Sequence, residues 1–455
     1  MPSVETAPGA PAGGEPRYSL REQRGWYVYD WANSVFATSA ITLFLPTYIP
    51  ALAAAASDPN GYVYPLGIPV AAPSFWAYIV GLSVGLQVLV LPVIGAIADY
   101  SRRKRECLAV TAFLGSAAAM AMFFVQGTDY LLAGGLFLFG NVCYGASIVV
   151  YNSFLPEIAS PEDRDRVSSR GWAIGYAAGC LMLVVHLGLV LQGQALGISQ
   201  SMAIRISLCS TGVWWALFTI PTLRVLKNRG TPQPLPQGST IWTVGFGQLI
   251  RTIGHMRHFP ETSRFLIAYL LYNDAIQTVL VVSTQFGAEE LGIPIAELTL
   301  TILIAQFVGV FGALGFQKLA ARVGAKHAIL TTLVVWTLLL VYAYGFVETV
   351  WEFYAMAAGA GAVMGGSQAL SRSLFAQLVP RGKEAEYFSI YEIGDKGTSW
   401  MGPPVFGLAL QFTGSYRIAI LSLIVFFAAG LAVLWPLKVE RGRERVIADS
   451  LVEPA

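Results

Sequence analysis

Charged residues are scarce in this sequence. Of its 455 residues only 12% are Asp, Glu, Lys or Arg, against about 25% in an ordinary soluble protein. With 55% hydrophobic residues, that shortage excludes a soluble globular protein and leaves a chain dominated by membrane-crossing segments. The charges that are present nearly cancel, 29 basic against 27 acidic for a net charge of +2, so nothing recommends a nucleic acid as partner. Cysteine is scarce as well. Cys107, Cys143, Cys180 and Cys209 fall in separate apolar segments without CxxC or Cys/His spacing, which argues against a disulfide framework and a zinc site. No HExxH, Ser/His/Asp arrangement or phosphate-binding glycine loop appears, so no metal, cofactor or enzymatic activity is indicated. The start of the chain is rich in Pro, Gly and Ala with Glu5 and Glu15 and lacks the basic and apolar parts of a signal peptide. Residues 1–24 read as a disordered cytoplasmic tail.

What is present is a series of apolar runs of about 20 residues, the length that crosses hydrocarbon as a helix. Twelve spans are expected, at 25–50, 74–98, 106–126, 129–152, 169–192, 203–226, 263–286, 296–320, 325–346, 350–378, 386–411 and 415–437. Lys and Arg favour the cytoplasmic side of short loops. Arg17, Arg21 and Arg24, the RRKR run at 102–105, and Arg441, Arg443 and Arg445 therefore set both termini in the cytoplasm, with Arg205 and Arg417 as the exceptions on the outer side. The helix-breaking stretch NRGTPQPLPQGST at 228–240 marks a cytoplasmic linker, 227–262, between six-helix halves at 25–226 and 263–437. Residues 438–455 form a second cytoplasmic tail. Ile241 to His258 has two readings, an amphipathic helix on the inner membrane surface or a plain basic loop.

The halves repeat one another. DWANSV from Asp30 and DAIQTV from Asp274 align Asp with Asp, Asn33 with Gln277 and Ser34 with Thr278. Pro161 and Gly175 are spaced like Pro380 and Gly394, and MAIRIS around Arg205 resembles GSYRIA around Arg417. Matching spans share parity, so the repeat is parallel, about an axis along the membrane normal. This organisation resembles the major facilitator architecture, an all-α integral membrane fold of twelve transmembrane helices in two six-helix bundles. GAIADYSRRKR from Gly95 is similar to that superfamily's signature between its second and third helices. The resemblance implies an inner latch: close helix packing at Gly95, a capping or charge-partner role for Asp99, and its counter-charge in Arg102. A plain positive-inside loop is the other reading. The second-half copy, GFQKLAARVGAK from Gly315, keeps Arg322 and Gly324 but has Leu319 where Asp would stand. YDWANSVFAT, YNSFLPEIAS, RVSSRGWAIGYAAG, GGSQALSRSLFAQLVP and WMGPPVFG narrow the resemblance to the unidentified major facilitator family, which includes bacterial permeases and the autophagy-related vacuolar amino-acid effluxer of yeast. That resemblance implies a secondary transporter, with amino-acid efflux attributed to the fungal branch.

Ionisable groups inside spans are costly and face a cavity or a partner. Asp30, Asn33, Ser34, Ala37 and Ile41 share one helical face. Asp30 has two readings, a proton or substrate-ammonium site and a structural carboxylate that packs span one on a neighbour. Asn273, Asp274, Gln277 and Thr278 give span seven a corresponding polar face. In span four, Asn141, Tyr144, Ser147, Tyr151 and Asn152 suit either a polar solute or interhelical hydrogen bonds. The glycines of span ten let another backbone approach, and beyond them Gln368 and Arg372 share a face; Arg372 either grips a carboxylate or snorkels to the inner surface. In span eleven Glu392 and Lys396 have ion-pair spacing with Asp395 beside them, a charge relay or a self-compensating packing network. His186 in span five is a further titratable candidate. Glu157, at the inner end of span four, is either solvated or paired at the inner gate with a cation such as Arg170. The expectation is a monomeric permease of the bacterial inner (plasma) membrane that moves a small polar or zwitterionic solute, amino acids among the candidates, by alternating access with protons as the coupling ion. The alternatives are a lipid or drug exporter of the same fold and a non-transporting membrane receptor.

Overall fold

In a bilayer a backbone N–H or C=O finds no water, so an apolar run satisfies itself as a helix. The computed structural model describes residues 19–100, 103–159, 164–193, 195, 197–228, 247, 254, 257–379, 391 and 401–452, and these are nearly all helical. Helix α1 (Leu20–Val35) passes through a π-helical stretch, Phe36–Phe44, into α2 (Leu45–Ala56). Then come α3 (Phe75–Tyr100), α4 (Lys104–Ala121), α5 (Tyr130–Asn152), the single turn α6 (Leu155–Ile158), α7 (Arg164–Gly193) and α8 (Gln200–Val225). Beyond residue 257 follow α9 (Pro260–Gln285), which ends in a second π-helical stretch, Phe286–Glu290, α10 (Ile295–Val323), α11 (Ala325–Gly345), α12 (Val350–Ala376), α13 (Gly402–Thr413), α14 (Tyr416–Ser422), α15 (Ile424–Leu434) and α16 (Val439–Val452). Among the described residues nine helices are long and apolar enough to cross a membrane. Helices α10 and α12 occupy the segments expected as spans eight and ten, and α13 is the described remainder of span eleven. The amphipathic stretch expected at 241–258 lies almost entirely outside the described residues.

Among the helices up to residue 228, α1 packs on α7 and α8, α4 on α5 and α8, and α3 on α5; among those from residue 257 on, α9 packs on α15, α10 on α12, and α11 on α12, α14 and α15. Glycine sets the closest of these contacts. A Cβ on Gly312 would lie 2.1 Å from the Ala362 carbonyl oxygen, and one on Gly361 2.2 Å from that of Ala305, so the backbones of α10 and α12 touch. On α7, Gly171, Gly175 and Gly179 repeat every fourth residue, and so do Asp30, Ser34 and Thr38 on α1 and its continuation. A Cβ on each glycine would meet the matching side-chain oxygen at 2.3, 2.4 and 2.8 Å. Two four-residue ridges thus interlock polar group into glycine notch.

The repeat is visible in how the ends are tied. At the terminal end, where residues 19 and 452 lie, Glu22 accepts from the Lys227 N–H at 3.2 Å and Gln23 donates to the Ile158 carbonyl at 2.8 Å. In the second half Glu261 accepts from the Lys438 N–H at 3.0 Å and Thr262 donates to the Leu378 carbonyl at 2.6 Å. These ties explain why α1 begins at Leu20 rather than at residue 25. The same end holds α16, whose Gly442 seats on Glu261 and Leu378. At the opposite, loop end, Arg205 reaches the Phe123 carbonyl and Gln126 Oε1, both at 3.2 Å, and Arg417 reaches the Tyr344 and Val347 carbonyls at 3.1 and 2.7 Å. The two arginines matched in sequence do the same work in each half.

The loop between α2 and α3 carries a two-residue antiparallel pairing, Tyr62 opposite Ala71 and Val63 opposite Val70. Asp58 organises it, accepting from the Asn60 and Tyr62 N–H groups at 2.9 Å each and from the Tyr64 hydroxyl at 2.7 Å. The Tyr62 N–H first, then the Tyr64 hydroxyl, hold the Asp58 carboxyl below its ordinary range. A depressed acid contributes order that is present above its unfolded pKa and lost as pH falls through the folded one. Amide exchange at Asn60 and Tyr62 is therefore expected to accelerate only in acid below about pH 3.9, the usual Asp value, measured by hydrogen exchange across a pH series.

Candidate functional site

Asp30 stands ten residues beyond Leu20, roughly 15 Å along the helix. One oxygen accepts from the Tyr151 hydroxyl at 2.7 Å. Tyr151 in turn stacks on Trp26 with ring centroids 4.3 Å apart, and Trp26 Nε1 donates to the Tyr151 carbonyl at 3.0 Å. Tyr29 lies 5.0 Å from the Tyr151 ring and accepts from Trp215 Nε1 at 3.4 Å. The carboxylate fits because Gly171 carries no Cβ beside it. One turn on, Asn33 is buried, and its Nδ2 has no hydrogen-bond partner among the described residues.

Asp274 is fully buried. Its Oδ2 accepts from the Gly402 N–H at 2.9 Å, at the first residue of α13, with the Met401 N–H facing the same carboxylate, and its Oδ1 has no hydrogen-bond partner among the described residues. An N-terminal helix end favours an anion there. The match of Asp30 with Asp274 read from DWANSV and DAIQTV is not the register of the fold. Asp30 follows Glu22 by eight residues and Asp274 follows Glu261 by thirteen, with unbroken α-helix between. Asp274 therefore lies five residues, about 7.5 Å, further in and is turned by roughly 140°. The counterpart of Asp30 is Tyr269, stacked on Tyr391 at 4.2 Å; the counterpart of Asp274 is Val35, in a cluster with Ala178 and Met182.

The other expected residues are dispersed. Asn141 donates to Ser83 Oγ at 2.8 Å and so joins α5 to α3. Tyr144 packs its ring on Phe36 and Trp215 at 5.6 and 5.9 Å. Asn152, Gln277 and Gln368 are half-buried and Arg372 is exposed. Glu157 takes Lys104 as its cation at 2.7 Å, while Arg170 is exposed. At Gly95 a Cβ would meet Val149 at 3.8 Å, ordinary contact, so the close packing implied there is absent among the described residues; tight notches on this side include Gly115, Gly145, Gly212 and the α7 glycines. The Asp99 side chain and Arg102, and with them the latch, lie outside the described residues, as do Glu392, Asp395 and Lys396. His186 bridges Ser39 Oγ at 3.1 Å and Ser210 Oγ at 2.9 Å, tying the π-helical stretch to α7 and α8 with both ring nitrogens engaged.

Sequence reasoning missed the seam where the two halves meet at the loop end. Tyr78 donates to Gln411 Oε1 at 2.9 Å, Gln285 Nε2 to the Pro73 carbonyl at 2.7 Å, and Trp76 Nε1 to the Val281 carbonyl at 3.4 Å. Thr284 Oγ1 donates to the Thr42 carbonyl. All four bonds join uncharged groups, whereas every ion pair between described residues stays within one half. Isolated Thr, Gln and Tyr residues near the ends of apolar runs were the available signal.

The model of the family described as "Vacuole effluxer Atg22 like" matches residues 19–446. An uncharacterized MFS-type transporter, YxiO of Bacillus subtilis, is 29% identical over 91% of this chain and 94% of its own length. Autophagy-related protein 22-1 of Penicillium rubens is 28% identical over 94% of this chain and 92% of its own. The fold is shared with the nucleoside transporter NupG, with a TM-score of 0.65 at 13% identity over 92% of this chain and 98% of that one. The chain belongs to the Atg22-like vacuole effluxer family of the major facilitator superfamily, and is a multi-pass membrane transporter.

Proposed function

We propose that this protein is a secondary transporter for a small polar or zwitterionic solute, amino acids among them. It works by alternating access between six-helix halves at 25–226 and 263–437, twelve spans in all, as a monomer with the linker and both termini in the cytoplasm of a bacterial plasma membrane. The observation that carries the cargo class is Asp274, an acid wholly withdrawn from water whose Oδ1 has no hydrogen-bond partner among the described residues. Such a group inside a helical bundle is more readily a proton carrier or an ammonium partner than a packing element. Asp30 and the orphaned Nδ2 of Asn33, one turn apart on the same face, offer an acceptor and a donor to the two ends of a zwitterion. Leaving Nδ2 unpaired costs about 1–3 kcal/mol, which a bound carboxylate would offset. Asp274 doubles as the coupling site in this reading.

A melting-temperature screen against amino acids, peptides, nucleosides and sugars identifies the class first; two members of one class raising the melting point is the expected result. In liposomes, uptake of that solute is expected to respond to an imposed pH gradient and to fall at least about tenfold, equivalent to about 1.4 kcal/mol, in Asp274→Asn. Flux indifferent to the gradient and unaltered in both Asp30→Asn and Asp274→Asn would sink proton coupling.

A further inference from the structure

In an α-helix the carbonyl of residue 42 is taken by the N–H of residue 46. Here residue 46 is proline, which has none. The helix responds by widening: the Leu45 N–H reaches back five residues to Ala40, and the Thr42 hydroxyl reaches the Ala37 carbonyl. The Thr42 carbonyl is turned to the seam, where the Thr284 hydroxyl from the other half donates to it. Gln285, the next residue, is fully buried and donates to the Pro73 carbonyl of the first half.

We propose that Pro46 and Thr284 are positioning residues of a loop-end gate: the proline takes away the donor that an α-helix would give the Thr42 carbonyl, and closure of the halves supplies one from Thr284. The inference rests on the alternating-access reading above. The two sides of this bond are unequal. When the halves part, the Thr284 hydroxyl can turn back onto a carbonyl of its own helix, but the Thr42 carbonyl has no N–H four residues on to return to and faces the water that enters the seam. The bond therefore ties closure of the seam to exclusion of water from span one, and it uses no charge. Tyr78 on Gln411 closes the same seam independently.

The test reads conformation without any solute, so failure to find a cargo leaves it standing. In a cysteine-free background, spin labels on Phe124→Cys and Phe412→Cys, at 72% and 80% exposed loop-end positions in the two halves, report the separation by electron–electron resonance in nanodiscs. Thr284→Val, nearly the same shape without the donor, is expected to raise the open-to-closed ratio about five- to tenfold, the loss of one hydrogen bond. Thr284→Ser restores the donor and the ratio. Pro46→Ala returns an N–H to the Thr42 carbonyl and shifts the ratio the same way. The double variant Pro46→Ala/Thr284→Val shifts it no further than the larger single change, because both remove one interaction. Tyr78→Phe serves as the reference for a seam that opens. The proposal is overturned if Thr284→Val leaves the ratio within about twofold of the parent while Tyr78→Phe moves it, if no variant moves it, or if the Pro46 and Thr284 effects multiply.

Discussion

Gly312→Val is expected to destabilise the packing of α10 on α12 by about 3 kcal/mol. A Cβ there would stand 2.1, 2.5 and 2.6 Å from the oxygen, Cα and carbonyl carbon of Ala362, which are main-chain atoms that no change of rotamer can move aside. Within a membrane no hydrophobic force holds helices together, because lipid is as apolar as leucine; close van der Waals contact does. Pushing α10 off α12 forfeits that contact along the whole interface. Overpacking in soluble cores costs about 1–3 kcal/mol, and with backbone as the obstacle the upper end of that range applies. Gly315 is the control. It lies three residues on in the same helix with nothing within 4 Å of a Cβ, so Gly315→Ala should leave stability within about 0.5 kcal/mol or raise it slightly. The yield of monodisperse detergent-extracted protein and its melting temperature report both. Equal behaviour of the two variants would mean that α10 and α12 do not meet along this face.

Arg417→Ala is expected to cost about 2–3 kcal/mol of stability. The guanidinium holds three acceptors at once, Glu290 at 2.7 Å and the Tyr344 and Val347 carbonyls at 3.1 and 2.7 Å, and so pins the start of α14 to the α11–α12 turn. Its removal leaves a carboxylate and two carbonyls without their donor. A fully buried pair would lose about 3–5 kcal/mol; the side chains of Arg417 and Glu290 are 25% and 24% exposed, so water offsets part of the loss. Lysine restores the charge but cannot fork to three acceptors, and Arg417→Lys should recover less than half. In the first half Arg205 bonds the Phe123 carbonyl and Gln126 at 3.2 Å each, with no carboxylate among these partners, and Arg205→Ala should cost about 1 kcal/mol. Unfolding followed in denaturant ranks the three variants, and an Arg205→Ala effect equal to or larger than that of Arg417→Ala would contradict the geometry.

Some of this was legible in the residues alone. Scarce charge and long apolar runs settle the solvent, since each such run must bury its backbone as a helix whatever its neighbours are. Arg205 and Arg417 disclosed the repeat because both act at a turn, where local sequence and position in the fold coincide. The same reading failed at Asp30 and Asp274, whose six-residue matches look alike yet stand five residues apart in register. Inside a span, lipid and a neighbouring helix are equally apolar, so a hydrophobic pattern does not report which face turns to which partner. That choice was made by glycine notches and single polar contacts between residues far apart in the chain. Gly171 makes room for Asp30, Gly402 donates to Asp274, and Thr284 closes on the carbonyl that Pro46 leaves open. Residues taken one segment at a time suffice for a helical membrane chain with an internal repeat. Depth, register and the seam came only with the folded arrangement, because they depend on contacts between segments and not on the preference of any one segment for its solvent.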